Sequence, residues 1–244
     1  MFKTVKNEET FKKLLSLCYL NEENNLYYSK IDKEYVESFK SYISGKNQND
    51  IPFTIEDIKE QPTLDDFSFK GLDDFEYVCK LYAKPMIIKK DEQKKENEKI
   101  FVVNDSFVNE KSKKLFFNTL GVVYIITCNL NGFEHIIKIG QSRNTFASRL
   151  DSYNCGSVTN IRTASTTNIK ILQSFVATRK HFNLYICDCS DENKSFEWCG
   201  LKSPVIASSK CCAYENILVT AFMNQFNFKP LANVQTNLLN LKDD

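Results

Sequence analysis

Apolar and polar positions alternate in two different ways along the chain. Between Asp32 and Ser44 the apolar residues Tyr35, Val36, Phe39, Tyr42 and Ile43 recur at helical spacing, with Asp32 placed to cap a helix and Gly45 to end it. Phe11 to Leu20 is a short apolar segment without a clear period, and a further helix is expected over Asp73 to Ala83, stopping near Pro85. The run KKDEQKKENEK, Lys89 to Lys99, has almost no apolar residues and reads as a linker or a solvent-exposed loop. Ile100 to Val103 then resumes the fold as an extended segment, and Lys111 to Leu120 leads into the second half.

There the period shortens. Gly121 to Cys128, GVVYIITC, is β-branched and aromatic and predicts a strand. Asn131-Gly132 is a turn signal, Phe133 to Gly140 predicts a second strand, and the two are expected to pair as a hairpin. Beyond it, Asn144 or Thr145 can cap a helix running to about Tyr153, with Gly156 ending it; Arg149 and Tyr153, four apart, share a face of that helix. A helix over Thr166 to Thr178, a strand over Phe182 to Cys187 and a long helix over Ser208 to Phe226 complete the pattern. Ala213, Ile217, Leu218, Ala221, Phe222 and Phe226 give that last helix an apolar side, Glu215 lies within it, and Pro230 follows its end.

Composition narrows the class. A chain of 244 residues with 42% hydrophobic residues can bury an ordinary core in one large or two modest domains. No apolar run reaches the roughly 18 to 20 residues needed to cross a bilayer, and the opening MFKTVKNEETF lacks an apolar signal core, so a cytoplasmic protein without membrane association is expected. Nine cysteines, an odd number in a chain of this size, are expected to be reduced thiols.

Charge adds a sharper hint. From Lys111 to Cys187 there are ten Lys or Arg residues against Glu134 and Asp151, so that stretch carries about +8 and the remainder about −7 behind a net charge of +1. A local excess of this kind suits attraction to a phosphate backbone, although a solvated face has the same composition.

Several motifs in this basic half fall in a familiar order. Val122-Val123-Tyr124 on the first strand, Lys138-Ile139-Gly140 on the second, Ser148-Arg149-Leu150 on the following helix, Tyr214-Glu215-Asn216-Ile217 on the last helix and Pro230-Leu231-Ala232-Asn233 beyond it together resemble the GIY-YIG nuclease superfamily over about 120 residues. Val122 replaces the first glycine, with Gly121 one residue earlier, and Lys138 replaces the second signature tyrosine. A branch of restriction endonucleases in that superfamily has lysine there and a tyrosine four residues after the arginine, a feature that Tyr153 supplies.

The resemblance implies an α+β fold, a small antiparallel β-sheet flanked by helices, in a catalytic domain over 111–244. Residues 1–110 would be a mainly helical or mixed accessory region for DNA recognition or dimerisation, with the charged segment 89–99 as linker or loop. It implies a type II restriction endonuclease that hydrolyses double-stranded DNA with Mg²⁺, Mn²⁺ being a possible substitute. Tyr124, Lys138, Arg149, Tyr153 and Glu215 would be catalytic, and His135 and Asn233 supporting. A homodimer and a cognate DNA methyltransferase as genetic partner are further implications. Alternatives are a mobile-element or phage nuclease of the superfamily, and a DNA-binding module without turnover.

Phosphodiester hydrolysis needs an activated water, neutralisation of charge on the pentavalent phosphate and protonation of the leaving oxygen. Glu215 offers a hard oxygen ligand for Mg²⁺. Tyr124 is the candidate general base; an ordinary phenol titrates near ~10, so it needs Lys138 or another cation nearby. Lys138 can alternatively orient the water or contact the phosphate. Arg149 can clamp the phosphate, and Tyr153 can bind the same group or simply pack. Asn233 can anchor Tyr124 or the last helix, or cap a turn. Lys114, Arg143, Arg162, Lys170, Arg179 and Lys180 are candidate DNA contacts, and Asn160 to Asn168 forms a polar insertion able to reach a groove. Cys187, Cys189, Cys199, Cys211 and Cys212 lack the paired C-x-x-C spacing of a zinc site.

Overall fold

The computed structural model describes residues 55–68, 72–89, 96–154, 180–199 and 201–233. The segments expected at Phe11–Leu20, Asp32–Ser44, Gly156 and Thr166–Thr178, the polar insertion, and Arg162, Lys170 and Arg179 lie outside them. The protein is a mixed α+β fold. Its described elements are α1 (Ile55–Lys59), a 3₁₀ turn (Leu72–Asp74), β1 (Glu76–Lys89), β2 (Glu96–Asn104), α2 (Glu110–Phe117), β3 (Val122–Leu130), β4 (Phe133–Ser142), α3 (Phe146–Asn154), β5 (Phe182–Asp188), a second 3₁₀ turn (Ser190–Glu192), β6 (Glu197–Trp198), β7 (Leu201–Lys202) and α4 (Lys210–Phe226). Five strands form one sheet in the order β2-β1-β5-β3-β4, and β6 and β7 form a separate ribbon. No described helix is long and apolar enough to cross a membrane.

Two compact units share these elements, one made of residues 1–55, 81–104 and 150–181, the other of residues 56–80, 105–149 and 182–244. In the first, β1 from Leu81 onward pairs antiparallel with β2, and the Asn154 amide bridges Val102, its Nδ2 donating to the carbonyl (2.8 Å) and its Oδ1 accepting the N–H (2.7 Å). The helix expected over Asp73 to Ala83 is therefore corrected to a strand. Val78, Cys79 and Leu81 are all fully buried, a run that suits a strand covered on both faces as readily as one turn of helix. Pro85 does not end the element but pairs with Ile100 within it. Part of the charged segment, from Glu96, belongs to β2 rather than to a loop.

In the second unit β3 is central, antiparallel to β4 on one side and β5 on the other. The β3–β4 hairpin forms as its sequence predicts, with Asn131 (φ 56) and Gly132 (φ 93) both in the left-handed region that a tight turn of this kind requires. Lys111 to Leu120, seen in the sequence only as an approach to a strand, contains α2, begun by Asn109 accepting the Ser112 N–H (2.8 Å). Val123, Ile125, Ile136 and Ile139 on one face of the sheet pack with Phe67 and with Cys211, Leu218, Val219 and Phe222 of α4. The buried stripe of α4 is thus narrower than the expected apolar side, since Ala213 is exposed and Ile217 is 51% exposed. On the other face Tyr124, Phe146 and Phe116 form a chain of aromatic contacts.

The outer edge of β4 is covered over Glu134 to Ile137. Leu64 donates to the Glu134 carbonyl (2.7 Å), Ile136 to that of Pro62 (2.9 Å), and Ala232 to that of Ile137 (3.0 Å). Such cover shortens the unpaired edge that invites association with another chain.

Candidate active site

Tyr124 and Gly140 face each other across the β3–β4 ladder. The Tyr124 ring lies directly over Gly140, where an added Cβ would collide with its Cζ and hydroxyl and stand 2.7 Å from Cε2. Phe146 meets the same ring edge to face, at 5.0 Å between centroids and 80° between planes. Phe146 opens α3, whose first turn is set by Thr145 Oγ1 accepting the Ser148 N–H (3.2 Å). One turn further on, Arg149 Nε donates to the Tyr124 hydroxyl oxygen (3.2 Å). The arginine is thus a cation in direct contact with the phenol. An N–H donated by a cation lowers the cost of negative charge on that oxygen.

Lys138 is two residues before Gly140 on the same side of β4, and its side chain is 4% exposed. Burial lowers its ammonium from 10.5 to about 8, with Glu215 opposing the shift and Arg149 adding to it. Its Nζ lies 3.4 Å from the Ala232 carbonyl, a weak contact that aims the chain without neutralising it. Glu215, in the second turn of α4, is half-buried. Burial raises its carboxyl above the ordinary range while Lys138 and Arg149 pull it back down. Tyr124, Lys138, Arg149 and Glu215 thus come together as one electrostatically linked set within a single unit.

Asn233 sits beside this set, and its role is geometric. Its Oδ1 accepts the Ile139 N–H (3.0 Å) and its Nδ2 donates to the Ile139 carbonyl (2.7 Å), so one side chain completes the ladder of β4 midway between Lys138 and Gly140. A β-bulge between Ile126/Thr127 and their partners, which leaves Ile137 unmatched, separates this stretch from His135. His135 is not brought to the set; its Nδ1 is 2.7 Å from the Gln61 carbonyl, on the segment covering the start of β4. Tyr153 is buried (1% exposed) in the portion of α3 assigned to the other unit. Lys114, Arg143 and Lys180 are exposed. Sequence reasoning missed Phe146, for which the only local signal was an aromatic residue at the first position after a helix cap.

Glu215 is the member of this set whose chemistry could hold a divalent cation. The Glu215 carboxylate is held partly out of water, so a hard cation against it would offset its burial, and oxygen ligation is what Mg²⁺ prefers. Among the described residues no group of three or more His, Cys, Asp or Glu side chains is arranged to hold a metal ion, so Glu215 would share any such cation with water and substrate oxygens. Cys187, Cys189 and Cys211 are buried in the apolar core against α4 instead.

Two measurements probe this geometry. Gly140→Ala forces the Tyr124 ring aside and is expected to lose about 1–3 kcal/mol in urea denaturation; a variant as stable as the wild type would show that the ring does not depend on the glycine. For Lys138, the unfolded chain binds the extra proton between about 8 and 10.5, so folding stability rises with pH across that window. Wild type is expected to gain stability relative to Lys138→Met between pH about 8 and 10.5, and a flat difference would contradict the buried ammonium.

No family model and no curated protein matches the chain. Among solved structures it is similar to one described as "Restriction endonuclease HPY188I in complex with product DNA", with 26% sequence identity and a TM-score of 0.46, over 78% of this chain and 97% of that one. A likeness at that TM-score leaves the function to be decided by the side chains themselves.

Proposed function

We propose that this protein is a metal-dependent endonuclease that cleaves double-stranded DNA. The observation that carries the reading is the hydrogen bond from Arg149 Nε to the Tyr124 hydroxyl (3.2 Å), with the Lys138 ammonium and the Glu215 carboxylate in electrostatic reach of that arginine. A phenol with a guanidinium on its oxygen, beside a buried lysine and one carboxylate, is an arrangement for taking a proton from water while negative charge gathers on a phosphate.

In this reading Tyr124 accepts the proton of the attacking water as the water oxygen bonds to phosphorus, and the bond to the leaving 3′ oxygen breaks and that oxygen takes a proton from solvent water. Arg149 Nε stabilises the phenol oxygen while its other N–H groups reach the phosphate. Lys138, still largely protonated at neutral pH, faces the developing charge from the β4 side. Glu215 would hold a single Mg²⁺, which supplies charge neutralisation at the phosphate. Asn233 keeps Lys138 and Gly140 in register by completing the ladder between them.

The finer assignment is to the restriction-enzyme branch of the GIY-YIG superfamily, supported by lysine at 138 and tyrosine at 153. Lys114, Arg143 and Lys180 would contact the backbone, and a homodimer would set one centre on each strand of a near-symmetric site, with a DNA methyltransferase protecting the host's own copies.

Digestion of several long unmethylated DNAs with Mg²⁺ tests the proposal. Wild type is expected to give discrete, reproducible bands, Glu215→Ala to give none, and Tyr124→Phe to cleave at least about 100-fold more slowly. DNA binding without cleavage across a broad range of metals and salt would overturn it.

A further inference from the structure

Tyr124 and Glu215 stand on different elements, and one side chain outside the catalytic set ties those elements together. Asn193 follows the 3₁₀ turn that leads away from β5. Its Nδ2 donates to the Leu120 carbonyl (2.8 Å), immediately before β3, and its Oδ1 accepts the Ser208 N–H (2.9 Å), immediately before α4. Its own N–H donates to the Ser190 carbonyl (3.0 Å), so the side chain springs from a fixed base. Ser208 in turn passes the connection to the helix, its Oγ accepting the Lys210 N–H (3.1 Å).

The surroundings of Asn193 are built to hold it there. Gly121, next to the Leu120 carbonyl that Asn193 bonds, has φ +80°, a conformation natural to glycine. The Gly121 carbonyl accepts the Cys189 N–H (2.9 Å), joining the start of β3 to the end of β5 beside the same asparagine. Lys210 pairs with Asp191 (2.5 Å), a second tie between the first turn of α4 and the segment that carries Asn193.

We infer that Asn193 is a positioning residue that sets the separation between the Tyr124 hydroxyl and the Glu215 carboxylate. Leu120 is four residues before Tyr124 on an uninterrupted run into β3, and Ser208 is seven before Glu215 across the start of α4, so the two hydrogen bonds clamp the roots of the elements that deliver the base and the metal-holding carboxylate. A half-buried amide has one donor and one acceptor end suited to a carbonyl and an N–H at once. Alanine provides neither, and aspartate keeps only the acceptor. The inference rests on the nuclease reading for its catalytic meaning but not for its geometry.

The test compares Asn193→Ala and Asn193→Asp with Asn183→Ala, which removes a hydrogen bond to Glu134 (3.0 Å) away from the catalytic set. At saturating DNA and Mg²⁺, both Asn193 variants are expected to lose about 10- to 100-fold in kcat with KM for DNA within about twofold, the signature of a small displacement of reacting groups. Asn183→Ala is expected to keep wild-type kcat. A kcat loss in Asn193→Ala no larger than in Asn183→Ala overturns the inference. Amide hydrogen exchange gives a second readout that needs no substrate: Asn193→Ala should expose peptides 121–128 and 210–218 together, and unchanged protection in either peptide also overturns it. Wild type that cleaves no DNA but shows this paired loss would sink the nuclease reading and leave the brace standing.

Discussion

The Tyr124 ring lying across Gly140, with its hydroxyl on Arg149, is the contact on which the rest of the site depends. The glycine lets the ring approach the backbone of β4, Phe146 packs against it edge to face from the helix side, and the hydroxyl accepts from Arg149 Nε. A buried phenol needs a hydrogen-bond partner in any case, and here the partner is a cation. The same packing that stabilises the sheet thus sets a guanidinium N–H on the phenol oxygen.

The burial of Lys138 and Glu215 works against stability. Each charge is taken partly out of water, and each is shifted toward its neutral form by that burial. Their mutual attraction offsets part of the cost, as is usual where titratable groups gather for a task. In each unit a side-chain amide holds backbone in place. Asn233 completes the β4 ladder at Ile139 within its unit, and Asn154 does the same for β2 at Val102 in the other. In both cases a planar amide supplies the donor and acceptor that a neighbouring strand would have supplied, which closes the edge without adding a strand.

Much of the second half of the fold was legible in the sequence because its signals are local. Asn131-Gly132 demands a turn, the flanking residues are β-branched, and Thr145 caps the helix that carries Arg149. Lys138, Arg149 and Glu215 could be named because their motifs resemble, in order, those of a known nuclease superfamily. What was not legible depends on contacts distant in sequence. β1 read as helix because its burial on both faces erases the alternation that identifies a strand, and Pro85 suggested an end where the ladder runs on. Arg149 as the partner of the phenol, Asn233 as a strand mimic and Asn193 as a brace across 73 and 15 residues are visible only once the chain is folded. His135 shows the converse: near Lys138 in sequence, it is turned by the bulge toward the Gln61 carbonyl.

The central claim is that the phenol of Tyr124 and the guanidinium of Arg149 act as one unit. A double-mutant cycle on the single-turnover rate of DNA cleavage, with Tyr124→Phe, Arg149→Lys and the pair combined, addresses it most directly. If the hydrogen bond is what activates the phenol, the double variant is expected to be far less impaired than the product of the two single losses, with a coupling of at least about 1 kcal/mol. Losses that simply multiply would contradict it.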